Sequence, residues 1–232
     1  MHILLTRPLD DCSNLIFKFK SLGHIVSHIP LLSIEKSEYE QVDYSKYSGI
    51  IFTSSNAIKF LNCEKLNKNI FCFCVGNATE RQAKIVGFQK IFSANGNVNN
   101  LKEIIIQNFK PSEGKLLYVS GSTISLELDK DLVNDNYNVQ RIINYKANHV
   151  EKFSEAMVNK LKVQMPDIVY IYSENSAKSF LKFANNYDLK NLWMNTSLMC
   201  IGEKTSSILN EIKWKKIFLF NPGEEEFLLY KI

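Results

Sequence analysis

Ile50-Ile51-Phe52-Thr53-Ser54-Ser55-Asn56-Ala57-Ile58-Lys59 decides how the chain reads, because its pattern returns as Val169-Tyr170-Ile171-Tyr172-Ser173-Glu174-Asn175-Ser176-Ala177-Lys178. Each copy opens with an apolar, β-branched and aromatic run, the signature of a buried strand. Each breaks at Ser-x-Asn and continues in helix-forming residues. Ser and Asn cap helices because their side-chain oxygens accept the first free N–H groups. Each copy is therefore a strand that turns into a helix start, where unpaired N–H groups and the positive end of the dipole suit anions. A second pattern follows each: Phe73-Cys74-Val75-Gly76-Asn77-Ala78-Thr79, then Met199-Cys200-Ile201-Gly202-Glu203-Lys204-Thr205. Both read strand, glycine, two residues, threonine, helix. Asn56 to Gly76 is 20 residues and Asn175 to Gly202 is 27. Two paired patterns in one order indicate two similar α/β units.

Outward from these copies, strand and helix alternate. Strands are expected at Ile3 to Thr6, His24 to Ile29, Gly49 to Thr53, Ile70 to Val75, Lys90 to Phe92, Leu116 to Val119, Val139 to Asn144, Ile168 to Tyr172, Leu198 to Ile201 and Ile217 to Phe220. Helices are expected after Pro8, from Ser54 to about Leu61, from Ala78 to Val86, Val98 to Phe109, from the polar turn Ser120-Gly121-Ser122-Thr123 through Leu132, Phe153 to Val163, Glu203 to Ile212 and Glu224 to Tyr230. Pro30 to Tyr39 and Tyr145 to His149 read as connectors. The alternation implies mostly parallel sheets with helices on both faces. In such sheets ligands bind beyond the carboxyl ends of strands. Ser54, Gly76, Ser120, Ser173 and Gly202 all fall there. Taken singly, each can also be a cap or turn and nothing more.

Composition narrows the classes. A chain of 232 residues, 45% apolar and 22% charged, suits one large domain or two small ones. A net charge of +4 does not point to nucleic acid. The arginines are only Arg7, Arg81 and Arg141, so backbone N–H and hydroxyl groups must share the binding of any carboxylate. Cys12, Cys63, Cys72, Cys74 and Cys200 have no C-x-x-C spacing, and Cys72, Cys74 and Cys200, in apolar strand-like runs, read as small buried hydrophobes of a reducing compartment. No segment approaches the ~20 apolar residues of a membrane span, and no signal peptide is evident. The expected location is cytoplasmic. His24 and His28 are four apart, but Gly23 and Pro30 argue for a strand, on which they lie ~13 Å from each other and share no metal. No Ser–His–Asp or Cys–His set stands out.

These motifs together resemble the uroporphyrinogen-III synthase family over nearly the whole length. Leu4-Leu5-Thr6-Arg7-Pro8 resembles its opening strand, and Leu22-Gly23-His24 and Ile29-Pro30-Leu31 resemble its Leu-Gly-His and Pro-Leu elements. Ile51-Phe52-Thr53-Ser54 is similar to its Phe-Thr-Ser motif, and Gly76 to Thr79 and Gly202 to Thr205 are similar to its two Gly-x-x-Thr motifs. Asn56, Asn175 and Glu203-Lys204 depart from its commoner residues. The resemblance implies two flavodoxin-like parallel-sheet domains joined by a two-stranded linker. One would be discontinuous, 1–32 with 150–232; the other would be 36–145; the linkers would lie near 31–35 and 145–149, with the site between the domains.

The resemblance also implies a cyclising hydro-lyase that closes hydroxymethylbilane to uroporphyrinogen III, inverting ring D and losing water, without metal or organic cofactor. Tyr145 would be the catalytic group, since a phenol of pKa ~10 is a hydrogen-bond donor at neutral pH. Thr53, Ser54, Asn56, Gly76, Thr79, Ser120, Gly121, Ser173, Asn175, Gly202, Lys204 and Thr205 would bind the substrate. The expected partner is that small molecule alone, with no nucleic acid and no membrane, and the chain is expected to be a monomer. The other reading of the same helix starts is a non-catalytic two-domain binding protein for a small anion, which would not need Tyr145.

Overall fold

The computed structural model describes residues 1–95, 97–221 and 224. Its α/β alternation runs β1 (His2–Leu5), α1 (Leu9–Ser21), β2 (Ile25–His28), β3 (Leu32–Lys36), β4 (Tyr47–Phe52), α2 (Ser55–Lys59), β5 (Phe71–Val75), α3 (Asn77–Val86), β6 (Lys90–Ala94), α4 (Val98–Asn108) and β7 (Lys115–Gly121). It continues with α5 (Leu128–Asn134), β8 (Asn138–His149), α6 (Glu155–Val163), β9 (Ile168–Ile171), α7 (Glu174–Asn186), β10 (Ser197–Cys200), α8 (Gly202–Ile208) and β11 (Lys216–Leu219). All but Glu224 of the helix expected at Glu224 to Tyr230 lies outside the described residues. Among the described residues no helix is long and apolar enough to cross a membrane.

The chain divides into two compact units, Met1–Ser33 with the chain from Asn148 on, and Ile34–Ala147. The first unit's sheet has the order β11-β10-β9-β1-β2, with parallel neighbours throughout. Counted within the unit from the β2 edge this is 2-1-3-4-5, a doubly wound order. The β strands bury both faces, as a parallel sheet between helices must. Ile3, Leu5, Tyr170 and Met199 pack under α1 through Cys12 and Phe19. Leu4, Val169, Ile171 and Leu198 pack on the other face under Val158 and Leu161 of α6 and Phe180 and Phe183 of α7. Each such apolar side chain contributes about 1.5–3 kcal/mol on burial.

The second unit's sheet has the order β3-β8-β7-β4-β5-β6. From β6 to β8 it is parallel and reads 3-2-1-4-5 within the unit, so the two units do not repeat one strand order. Ile50, Phe52 and Val119 pack under α2 and α3 through Ala57, Ile58 and Ala83. Ile51, Phe73 and Tyr118 pack on the other face under α4 and α5 through Leu101, Ile105, Leu128 and Leu132.

Three expectations read from the residues alone need correction. Within the stretches read as connectors, where the resemblance implies linker strands, Leu32–Lys36 is β3 and β8 runs unbroken through Tyr145 to His149, and β3 and β8 are neighbours. Ser37 N donates to Asn144 O at 2.9 Å and Val150 N to Leu31 O at 3.0 Å, so the two segments run antiparallel. The polar turn at Ser120 does not open a helix. Ser120 and Gly121 end β7, and helix begins only at Leu128. Ser122 N is instead taken by Tyr145 O at 3.0 Å, which draws the chain along β8. Helix α8 ends at Ile208, short of Ile212.

Candidate functional site

In each unit the helices that follow two neighbouring strands go to opposite faces, which is the switch point at which doubly wound sheets offer a crevice beyond the strand ends. In the Ile34–Ala147 unit this happens between β4 and β7, because α2 covers one face and α5 the other. Thr53 and Ser54 leave β4, and Ser120 and Gly121 end β7 at the same edge. Ser54 caps α2: its Oγ accepts from Asn56 N at 3.2 Å. Thr53 Oγ1 lies 3.3 Å from Tyr118 OH. Burial raises the Tyr118 pKa, the Thr53 hydrogen bond and the Arg141 charge oppose that rise, and Asp129 and Tyr145 add to it.

Ser120 is buried, and its hydroxyl is committed on both sides. It donates to Gly121 O at 3.1 Å and accepts from Arg141 Nε at 2.8 Å. Arg141 Nη2 donates to Gly121 O at 2.9 Å, and the guanidinium carbon stands 5.8 Å from the Tyr118 ring centre. The β7–β8 register shifts between Ser120 and Gly121, where Gly121 pairs with Tyr145. The shift turns the Tyr145 ring onto Gly121. A Cβ on Gly121 would lie 2.7 Å from Tyr145 Cζ and 3.0 Å from its hydroxyl oxygen. Phe60 flanks the same ring at 6.5 Å between centres. Asn144, beside it and fully buried, donates through Nδ2 to Ala57 O at 2.7 Å and so ties β8 to α2.

One strand over, Gly76 follows β5 with φ 77° and ψ 155°, a conformation close to glycine's own. Its N–H donates to Ala94 O at 3.0 Å, and α3 starts from it with Thr79 buried beneath.

The unit beginning at Met1 parts its helices between β1 and β9, with α1 on one face and α7 on the other. Thr6 Oγ1 donates to Tyr170 O at 2.7 Å, and the Arg7 guanidinium carbon lies 4.6 Å over the Tyr172 ring. His28 donates from Nε2 to Arg7 O at 2.7 Å. Ser173 caps α7, accepting from Ser176 N at 3.1 Å, and Asn175 sits in the first turn. Gly202 has φ 74° and opens α8, on which Lys204 is exposed and Thr205 buried. Among the described residues no cluster of three His, Cys, Asp or Glu side chains is placed to hold a metal.

A family profile described as Uroporphyrinogen-III synthase HemD matches residues 13–219. The chain belongs to the uroporphyrinogen-III synthase family. No curated protein sequence matches it. Among solved structures it is similar to the Helicobacter pylori uroporphyrinogen-III synthetase, at 18% identity and a TM-score of 0.66, covering 100% of this chain and 99% of that one. It is also similar to a mutant synthase from Thermus thermophilus, at 12% identity and a TM-score of 0.56, covering 100% and 98%. At such identities the likeness is one of fold.

Within this family frame, the structure gathers Thr53, Ser54, Ser120, Gly121 and Tyr145 at one strand edge, with Asn56, Gly76 and Thr79 on the helix starts beside it. Ser173, Asn175, Gly202, Lys204 and Thr205 belong to the other unit. Sequence reasoning passed over Arg141, Tyr118, Thr6 and Tyr172. The scarcity of arginine was the available signal for Arg141: two of only three arginines stand on these crevices.

Proposed function

We propose that the chain cyclises hydroxymethylbilane to uroporphyrinogen III as a hydro-lyase, acting as a cytoplasmic monomer without metal or organic cofactor. The two compact units are its domains, and the β3–β8 pair, where the chain passes between them, is its linker. The substrate loses a hydroxyl to give an electrophilic azafulvene. Ring D is attacked at its substituted carbon, and the spiro intermediate fragments and recloses with that ring inverted. Because uncatalysed closure gives the unflipped isomer, the protein's main task is to hold the chain in shape. Helix starts at Ser54, Gly76, Ser173 and Gly202 offer N–H groups to the substrate's carboxylates.

The observation that carries this reading beyond family membership is the setting of Tyr145. Its ring is fixed against Gly121 and Phe60 at the end of β7, next to the β4–β7 crevice. There its hydroxyl hydrogen-bonds the departing hydroxyl as the carbon–oxygen bond breaks. The test is incubation with hydroxymethylbilane and separation of the ring isomers. The parent should give chiefly type III, and Tyr145→Phe should form it about ten- to a thousandfold more slowly, the usual span for one general acid. Type I alone, at the rate seen without protein, would overturn the function. A folded Phe variant at the parent rate would remove Tyr145 from it.

A further inference from the structure

Arg141 is held in an unusual way for a surface-facing arginine. Nε and Nη2 are tied to Ser120 Oγ at 2.8 Å and Gly121 O at 2.9 Å, and the guanidinium lies over the Tyr118 ring. An arginine has five N–H donors. The other three make no hydrogen bond to the described residues, and no carboxylate among those residues pairs with the group. On α5, Asp129 acts on Tyr118 and its buried Oδ1 has no hydrogen-bond partner among the described residues, while Lys130, near enough to feel the Arg141 charge, is paired with Glu127. Ordering a long, partly buried cation costs rotamer entropy and desolvation, and two hydrogen bonds to neutral oxygens offset only part of that. What they do achieve is orientation. A planar fork fixed on one side and open on the other is suited to a carboxylate, which it can grip through two parallel N–H donors.

We propose that Arg141 is a carboxylate anchor at the β4–β7 crevice, with Ser120 and Gly121 as the positioning residues that aim it. The substrate to which the carboxylate belongs rests on the tetrapyrrole reading above; the anchor itself does not. Ser120 is buried and its hydroxyl is spent on Gly121 O and Arg141. It therefore reaches a ligand through the arginine and not directly. Thr53, whose hydroxyl stands beside Tyr118 OH, is the neutral donor on the facing strand end.

The chain has three arginines, so the Nε–Hε region of a 15N spectrum holds three arginine signals, assignable from Arg7→Gln, Arg81→Gln and Arg141→Gln. Tricarballylate is the probe carboxylate. Titrated into the parent, it should shift the Arg141 signal saturably and leave that of Arg81, exposed on α3, unsaturated. Ser120→Ala should move the Arg141 signal with no ligand present and weaken its saturation. With hydroxymethylbilane, Arg141→Gln should raise KM about ten- to a hundredfold, the worth of a hydrogen bond to a charged group, with kcat within about threefold. Arg141→Lys, which keeps the charge but loses the fork, should fall between. Arg81→Gln should change neither constant. If tricarballylate gives no saturable shift at Arg141, the anchor is overturned, whatever the parent turns over. If it does shift and the parent makes no type III product, the anchor stands and the tetrapyrrole reading falls.

Discussion

Gly121 illustrates how a single missing side chain sets a functional group. The residue has no left-handed φ to explain it; it is glycine because Tyr145 occupies the space. A methyl there would come within 2.8 Å of both Cζ and Cε2 of that ring. The colliding atoms are the far end of a side chain, which can swing away. Gly121→Ala is therefore expected to cost little stability, about 1 kcal/mol at the low end of overpacking, while displacing the tyrosine hydroxyl. Under the proposed function, type III formation should drop at least as far as in Tyr145→Phe, with the thermal midpoint almost kept. A Gly121→Ala protein that reacts at the parent rate would show that the ring contact does not position the hydroxyl. Nothing in the sequence near Gly121 announced this contact, since it depends on a register shift between β7 and β8. Arg141 was hidden for the same reason: its partners are 20 and 21 residues away.

At the level of elements, the paired glycines argue differently. Gly76 and Gly202 stand at the starts of α3 and α8 with φ of 77° and 74°, and a Cβ on either would meet nothing within 4 Å. The need for glycine there lies in the backbone alone. Gly76→Ala should cost about 1–3 kcal/mol, the usual strain of such a conformation, with no repacking around it. Chemical denaturation checks this, and an unchanged midpoint would show that the turn relaxes freely. These turns were legible because each follows a buried run such as Phe73-Cys74-Val75 and precedes a helix, so the local signals agree. The parallel α/β layering was legible for that reason too. The strand character of Tyr145 to His149 came only from the family resemblance, not from the residues. Lys146, Ala147 and Asn148 carry no apolar alternation, and only pairing with β3 makes them a strand. Helix α5 begins only at Leu128, and Glu127 ahead of it makes no side-chain cap hydrogen bond.

For the molecule as a whole, the decisive feature is that the chain leaves one unit in β3 and returns to it in β8, and these strands are neighbours. The resemblance implies the flavodoxin-like order 2-1-3-4-5 for both units, and the Ile34–Ala147 unit has 3-2-1-4-5 instead, because the same alternating elements build either order. The division nonetheless has a physical consequence. Each unit has two apolar cores of its own, one on each face of its sheet. The ends of the inserted unit are held together, since Ser37 N reaches Asn144 O at 2.9 Å. Excising residues 34–147 therefore breaks neither core and leaves no long loop to close. Expressed alone, 34–147 should fold cooperatively, with a dispersed amide spectrum and a single unfolding transition. Residues 1–33 joined to 148–232 by a short Gly/Ser bridge should do the same, because Val150 N meets Leu31 O at 3.0 Å across the cut. Neither piece should form type III product, since the proposed site residues are shared between them. A collapsed, undispersed spectrum from 34–147 would show that the units are not independent domains, and the linker role of β3 and β8 would fall with them.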